Sequence, residues 1–220
     1  MRLIANSGGD RAFDILANFK GNELDALTDQ VSIFGAQSAL VNRRRSLNRL
    51  LLGAATDSLL SGDESDRMRR NRLQNRATSK ALANALATAQ VRQTRLPPSQ
   101  SVLLTQGGAI LGNCSLTTPG LGIAPQSRLG FIQQTETDAE LHMVEQWFET
   151  EWAAGNPQGA AAAALKETVA VAAADHAPGA VYTQALHHLF QEMEAGTDEA
   201  RIIDSATGIR ETTVWSKLYR

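Results

Sequence analysis

SQSVLLTQGGAILGNCSLTTPGL, residues 99–121, is the stretch from which the rest of the chain is read. Its apolar runs, Val102–Thr105 and Ala109–Leu111, are short and bounded by Gly and polar residues, the pattern of buried strands. Gly107-Gly108 supplies the turn between them. A polar loop follows, Gly112-Asn113-Cys114-Ser115. Asn113 and Ser115 therefore fall just past the C-terminal end of a buried strand, where α/β folds place their sites.

Working outward, Arg2–Ala5 reads as a strand that ends in the turn residues Asn6-Ser7-Gly8-Gly9. Asp10 is the expected N-cap of a helix that buries Ala12, Phe13, Leu16 and Phe19 on one face. Ala26, Leu27, Val31, Ile33 and Phe34 read as a second strand, with a helix over Asn22–Asp29 as the alternative. Gly35–Asn48 reads as a helix carrying the Arg43–Arg45 cluster near its end, and Leu50–Leu52 as a third strand. After the loop Ser61–Ser65, a long helix is expected over Asp66–Gln90, with Leu73, Ala77, Ala81, Ala83 and Leu86 as its packed stripe. Val91–Leu96 reads as a strand broken by Pro97-Pro98, and Arg128–Gln133 as another. Thr137 opens a helix with an aromatic face, Trp147, Phe148 and Trp152, closed by Gly155-Asn156-Pro157. Alanine-rich Gly159–Ala174 and then Ala180–Ala195 complete a helical C-terminal part. Strands and helices in this order predict an α/β fold with a C-terminal helical extension. The expected domains are residues 1–155 and 156–220.

The composition, 43% hydrophobic and 20% charged with a net charge of −2, is that of a soluble globular chain. No apolar run approaches the ~20 residues of a membrane span. The N-terminus carries no signal-peptide pattern. One cysteine rules out an internal disulfide framework, so the expected location is the cytoplasm, and burial is the ordinary reading of Cys114. The charge is uneven. Arg43, Arg44, Arg45, Arg49, Arg67, Arg69, Arg70, Arg72, Arg76, Lys80, Arg92 and Arg95 crowd the first half, and acidic residues dominate beyond Gln133. Arg69, Arg72, Arg76 and Lys80 recur at helical spacing on one face. With Arg43, Arg44 and Arg45 they are the candidate DNA contacts, since clustered cations gain affinity by releasing counterions. A merely solvated face is the competing reading, and no aromatic residues interleave to make a stacking platform for single strands.

GGAILGNCSLTTPGLG (residues 107–122), followed by EQWFETEW (145–152), resembles the second half of a phospholipase D-like domain. The version it is most similar to stands at the N-terminus of large bacterial helicases of the Swi/Snf type. That family carries His-x-Lys on a strand, an Asp five residues past the Lys, and then a Gly-Ser-x-Asn loop. A Leu-Thr-x-x-Gly-Leu segment and a Trp-Phe helix follow, matched here by Leu116, Thr117, Gly120, Leu121, Trp147 and Phe148. The resemblance implies a mixed sheet with the Gly112–Ser115 loop at its mouth. In the family the His attacks phosphorus while Lys and Asn hold phosphate oxygens. With Gln106 in the Asp position, the His and Lys positions fall on Ser99 and Ser101; a shift of one residue puts them on Pro98 and Gln100. Asn113 stands where Ser is expected and Ser115 where Asn is expected. Neither register supplies a nucleophilic imidazole or an ammonium. The resemblance therefore implies a degenerate site.

Tyr182, Leu186, Leu189 and Phe190 are similar to the segment that leads such helicases into their motor domain. The chain has neither a Walker loop nor an Asp-Glu-x-His box, so no ATPase is expected in it. It is expected to be an N-terminal piece of a larger protein, or a free-standing accessory protein. His142 has no carboxylate or nucleophile partner beside it in the sequence, and His187-His188 point apart on a helix, so neither predicts a catalytic base or a metal ligand. No cofactor and no metal is expected. The first function class is a non-catalytic phospholipase D-like module that serves a DNA helicase in cis or in trans, in restriction, repair or phage defence, and binds DNA or a partner. The others are a phosphodiesterase or nuclease with non-standard residues, and a pure interaction or dimerisation module. A homodimer is compatible with all three, and no membrane partner is expected.

Overall fold

The computed structural model describes residues 1–40, 44–53, 75–125 and 130–174, together with residues 179, 182, 183 and 186. Packing divides the chain into two units, Met1–Arg70 with Gln74–Ala174, and Asn71–Leu73 with Asp175–Arg220. The fold described here is that of the first. Its strands are β1 (Arg2–Ile4), β2 (Glu23–Thr28), β3 (Ser46–Leu52), β4 (Gln90–Gln93), β5 (Ser101–Thr105), β6 (Gly108–Gly112) and β7 (Ile132–Gln134). Its helices are α1 (Ala12–Asn18), α2 (Ile33–Leu40), α3 (Asn75–Thr88), α4 (Asp138–Ala154) and α5 (Ala160–Ala173). The strands form one mixed sheet in the order β1-β7-β6-β5-β2-β3-β4. β2, β3 and β4 run parallel, and every other neighbour is antiparallel. The fold is α/β, as the order of elements predicts.

The β5–β6 hairpin sits at the middle of the sheet and pairs Ser101 with Gly112 and Thr105 with Gly108. It forms because Thr105 Oγ1 takes the amide of Gly107 and donates to Gly108 O, which closes the Gln106-Gly107 turn. Alternation then sends Leu103 and Ile110 to one face and Val102, Leu104, Ala109 and Leu111 to the other. The first face is covered by α1, α2, α3 and α5, around Leu16, Leu24, Leu50, Leu52, Leu103, Ile110 and Leu165. Of the described helices, the second face carries α4, with Val144, Phe148 and Trp152 on Leu27, Leu51, Val102, Leu104 and Ala109. A fully buried side chain such as Phe148 contributes about 2–3 kcal/mol through its area.

Helix α4 starts on a capping box: Thr137 Oγ1 accepts from Glu140 N, and the Glu140 carboxylate accepts from Thr137 N. It is clamped to the sheet by Arg49, which bonds Asp25 at 2.6 Å and Glu149 at 2.7 Å and lies over the Phe148 ring. A register shift between Leu24 and Asp25 brings both Asn48 and Arg49 onto the Asp25 carboxylate. Helix α5 lies beyond residue 155, yet its Ala161, Leu165 and Val169 are part of the same core and it packs on α3 and β4.

Three local expectations are corrected. Ile33 and Phe34 do not continue a strand: Ser32 Oγ accepts from Gly35 N at 3.1 Å and starts α2 there. Seven of the eight α2 residues are buried, so the segment has no polar side to give a helical period. Asp10 is not the cap of α1. Arg11 holds that position without a side-chain capping bond, and Ala12 N donates instead to Asn6 Oδ1 at 2.8 Å. The third strand begins at Ser46 rather than Leu50, so α2 ends well before the expected Asn48. The start of the expected long helix before residue 75, and almost all of Ala180–Ala195, lie outside the described residues.

Candidate functional site

Strand directions put the C-terminal ends of β1, β2, β3, β4 and β6 at one end of the sheet, with the start of β5. The loop Gly112–Ser115 lies there, as its sequence position requires. Around it Asn6, Thr28, Ser32, Ser101, Ser115, Thr117 and Thr118 are all buried. Buried hydroxyls and amides persist only when bonded, and these largely bond one another. Ser101 Oγ donates to Thr28 Oγ1 at 3.3 Å, and Ser115 Oγ shares a bond of 3.0 Å with Thr117 Oγ1. Thr117 Oγ1 also accepts from Gly120 N.

Asn6 closes this arrangement from the far edge. Its Nδ2 donates to Gly120 O at 2.9 Å and to Asn113 O at 3.3 Å, while its Oδ1 takes the Ala12 amide. It does so from a left-handed backbone, φ 53°, which Asn tolerates better than most residues. In the sequence Asn6 reads as part of a turn; the signal for it there is its place just past the first strand. The Ser115–Leu121 segment is also held against α2. Ser32 N donates to Leu116 O at 2.9 Å, and Val31 bridges Leu116. A Cβ at Gly35 would overlap Leu116 O and Thr117 Cα, and one at Gly120 would overlap Ser115 Oγ. Among the described residues, the loop at the strand ends is thus held by the chain's own hydroxyls and backbone.

The motif positions separate. Ser101, Asn113 and Ser115 gather at the mouth; Ser99 lies in the exposed approach to β5. Gln106 does not join them. It is exposed in the β5–β6 turn at the opposite end of the sheet, where its side chain lies against Gly21. Cys114 is wholly buried, with Sγ set against Ser101 O and Ile110 O, and burial pushes its thiol pKa well up, which leaves it a poor nucleophile.

Among the candidate DNA contacts, Arg43, Arg69 and Arg72 lie outside the described residues, and for Arg76 only its place in α3 is described. Arg44 is exposed, with φ 52°. Arg45 is corrected. It is buried and donates to Gly21 O at 2.6 Å, Leu16 O at 2.5 Å and Phe19 O at 2.9 Å. It satisfies carbonyls at the end of α1 and so cannot reach a phosphate backbone. Composition groups it with its neighbours, and only the tertiary turn at Arg44 points it inward.

A second concavity, about 670 Å³, opens beside α4 at the Gln106 end of the sheet. Glu23, Asp25, Arg49, His142, Glu145 and Glu149 line it. Burial alone would lower the Arg49 pKa; its bonds to Asp25 and Glu149 outweigh this and hold it above its ordinary value. His142 is largely exposed, and its ring faces Gln146 at 3.0 Å and Glu145 at 3.6 Å on its own helix. It stands apart from the hydroxyl cluster, at the other end of the sheet. Among the described residues no three His, Cys, Asp or Glu side chains converge to hold a metal ion. No described helix is long and apolar enough to cross a membrane.

No family model matches this chain, and no curated protein sequence matches it. It is similar in fold to Nuc, a phospholipase D family member from Salmonella typhimurium, at 9% identity and TM-score 0.43, over 66% of this chain and 86% of that one. NucT from Helicobacter pylori is similar at 6% identity and TM-score 0.42, over 66% of this chain and 87% of that one. The polyphosphate kinase of Porphyromonas gingivalis is similar at 13% identity and TM-score 0.41, over 72% of this chain and 26% of the kinase.

Proposed function

We propose that this chain is a non-catalytic phospholipase D-like module that works with a DNA helicase or translocase in restriction, repair or phage defence and contributes binding to DNA or to a partner. One observation carries the loss of chemistry. At the positions of nucleophile and cation stand an exposed Ser99 and a buried Ser101 whose hydroxyl is bonded to Thr28. A serine hydroxyl with no adjacent base attacks phosphorus poorly, and neither serine carries a charge to meet a phosphate. The order of motifs from Ser101 to Trp152, set on a mixed sheet with Gly112–Ser115 at its mouth, supports the family reading. Tyr182, Leu186, Leu189 and Phe190 support the helicase context through the same resemblance.

A gel shift on end-labelled single- and double-stranded DNA, titrated with salt, tests the binding side. Uncut DNA is expected to be retained at low salt, with retention falling steeply as salt rises. Replacing Arg69, Arg72 and Arg76 together by Glu is expected to abolish the shift. A shift indifferent to salt or to those substitutions would remove the arginine face from the proposal. No retention at all would leave partner binding as the module's contribution.

A further inference from the structure

We propose that the α4 face of the sheet docks a basic, amphipathic segment of a partner protein. Register places Leu3, Gln133, Leu111, Val102, Leu27, Leu51 and Arg92 in one row across this face. Helix α4 crosses the row obliquely. Its first turn is at β1, where the Met1 amine meets Glu140, and its last is at β4, where Arg92 Nη1 donates to Trp152 O at 2.7 Å. One helix laid diagonally cannot cover seven strands, so among the described residues two corners stay open.

The corner at β7 and β1 is apolar: Leu3 is 63% exposed and Phe131 54%. On α4, Met143 is 60% and Trp147 43% exposed, four residues apart and on a common side. The other corner is the cleft lined by Glu23, Asp25, Glu145 and Glu149, with Arg49 the one Lys or Arg among its lining residues. Helix α4 itself carries Asp138, Glu140, Glu145, Glu149 and Glu151 and no Lys or Arg. At helical spacing Glu140 and Glu151 share the side of Met143 and Trp147, while Glu145 and Glu149 face the cleft on the other flank. Exposed Trp and Met on a helix with carboxylates along both flanks complement a segment with large apolar side chains on one side and Lys or Arg on the other. The same charge repels both a nucleic-acid backbone and a second acidic α4, which selects against DNA and against a symmetric α4-to-α4 dimer on this face. The inference does not depend on the strand-end pocket.

The test uses the full chain and a fluorescein-labelled amphipathic peptide of Leu, Trp and Lys, read by anisotropy, with the same peptide carrying Glu for Lys as control. The Lys peptide is expected to bind, more weakly as salt rises, while the Glu peptide does not. Trp147→Ala with Met143→Ala is expected to weaken binding roughly tenfold or more. Glu145→Gln with Glu151→Gln is expected to flatten its salt dependence. An unchanged thermal midpoint establishes that these exposed substitutions leave the fold intact. Failure of the Lys peptide to bind, equal binding of both peptides, or affinity unmoved by the Trp147 and Met143 substitutions would overturn the inference. So would sedimentation showing a self-associated chain that Trp147→Ala dissociates, since the occupant would then be a second copy. DNA cleavage reads the other end of the sheet and moves with none of these outcomes.

Discussion

Arg45→Ala is expected to lower the unfolding free energy by about 3–5 kcal/mol, because it removes a buried guanidinium from one buried and two part-buried carbonyls at once. The guanidinium reaches Gly21 O, Leu16 O and Phe19 O from the start of β3 and ties the end of α1 to the β2 entry. Alanine supplies no donor, and water has poor access to a site this buried. Urea denaturation is the measurement. The midpoint should fall with little change in slope, and Arg45→Lys, which keeps one donor head of different shape, should fall between. A loss under 1 kcal/mol would mean that those carbonyls find other donors. A gel shift weakened by Arg45→Ala in proportion to Arg44→Ala, with stability intact, would return Arg45 to the DNA face.

Gly35→Ala is the second large effect. Helix α2 approaches the Leu116-Thr117 backbone so closely that a Cβ has nowhere to go, and the atoms it meets are main chain rather than a movable side-chain end. Ser32 N to Leu116 O and the Val31–Leu116 bridge would have to lengthen to make room. Overpacking of this kind costs about 1–3 kcal/mol or more. The expected result is a lowered thermal midpoint together with faster amide exchange at Leu121, whose amide bonds Thr117 O within the displaced segment. Unchanged exchange at Leu121 would show that the segment is not held by α2.

The hairpin was legible in the sequence because its signals agree: two short apolar runs, glycines between them, a polar loop after the second run. The turn itself falls on Gln106-Gly107, one residue before the Gly-Gly pair, and Gly108 opens β6. Period-two alternation then fixes which side chains face which layer. Ile33 and Phe34 misled for the opposite reason. Their β-branched and aromatic character favours a strand, and burial on all sides erases the helical period that would have corrected it. At the site, the resemblance singled out Ser99, Ser101, Gln106, Asn113 and Ser115; Ser101, Asn113 and Ser115 lie at the mouth, Ser99 in the exposed approach to β5 and Gln106 at the other end of the sheet. Asn6 could not be found that way, since its contacts to Asn113 and Gly120 join residues far apart in the chain. Arg45 and Arg49 share their composition with solvent-facing arginines. Only the pairing of β2 with β3 turns one onto carbonyls and the other onto Asp25.

The central proposal is that the strand-end cluster is a phosphodiester site without its reactive groups, in which Ser101 bonds Thr28 and Ser115 bonds Thr117 instead. The direct measurement is intact-mass spectrometry of the chain after incubation with a phosphodiester oligonucleotide and an alkaline, denaturing quench, with the oligonucleotide products resolved in parallel. The account predicts an unmodified protein mass and an uncut oligonucleotide. A phosphoryl adduct on any histidine or serine, or cleavage that disappears in Ser101→Ala, would contradict it.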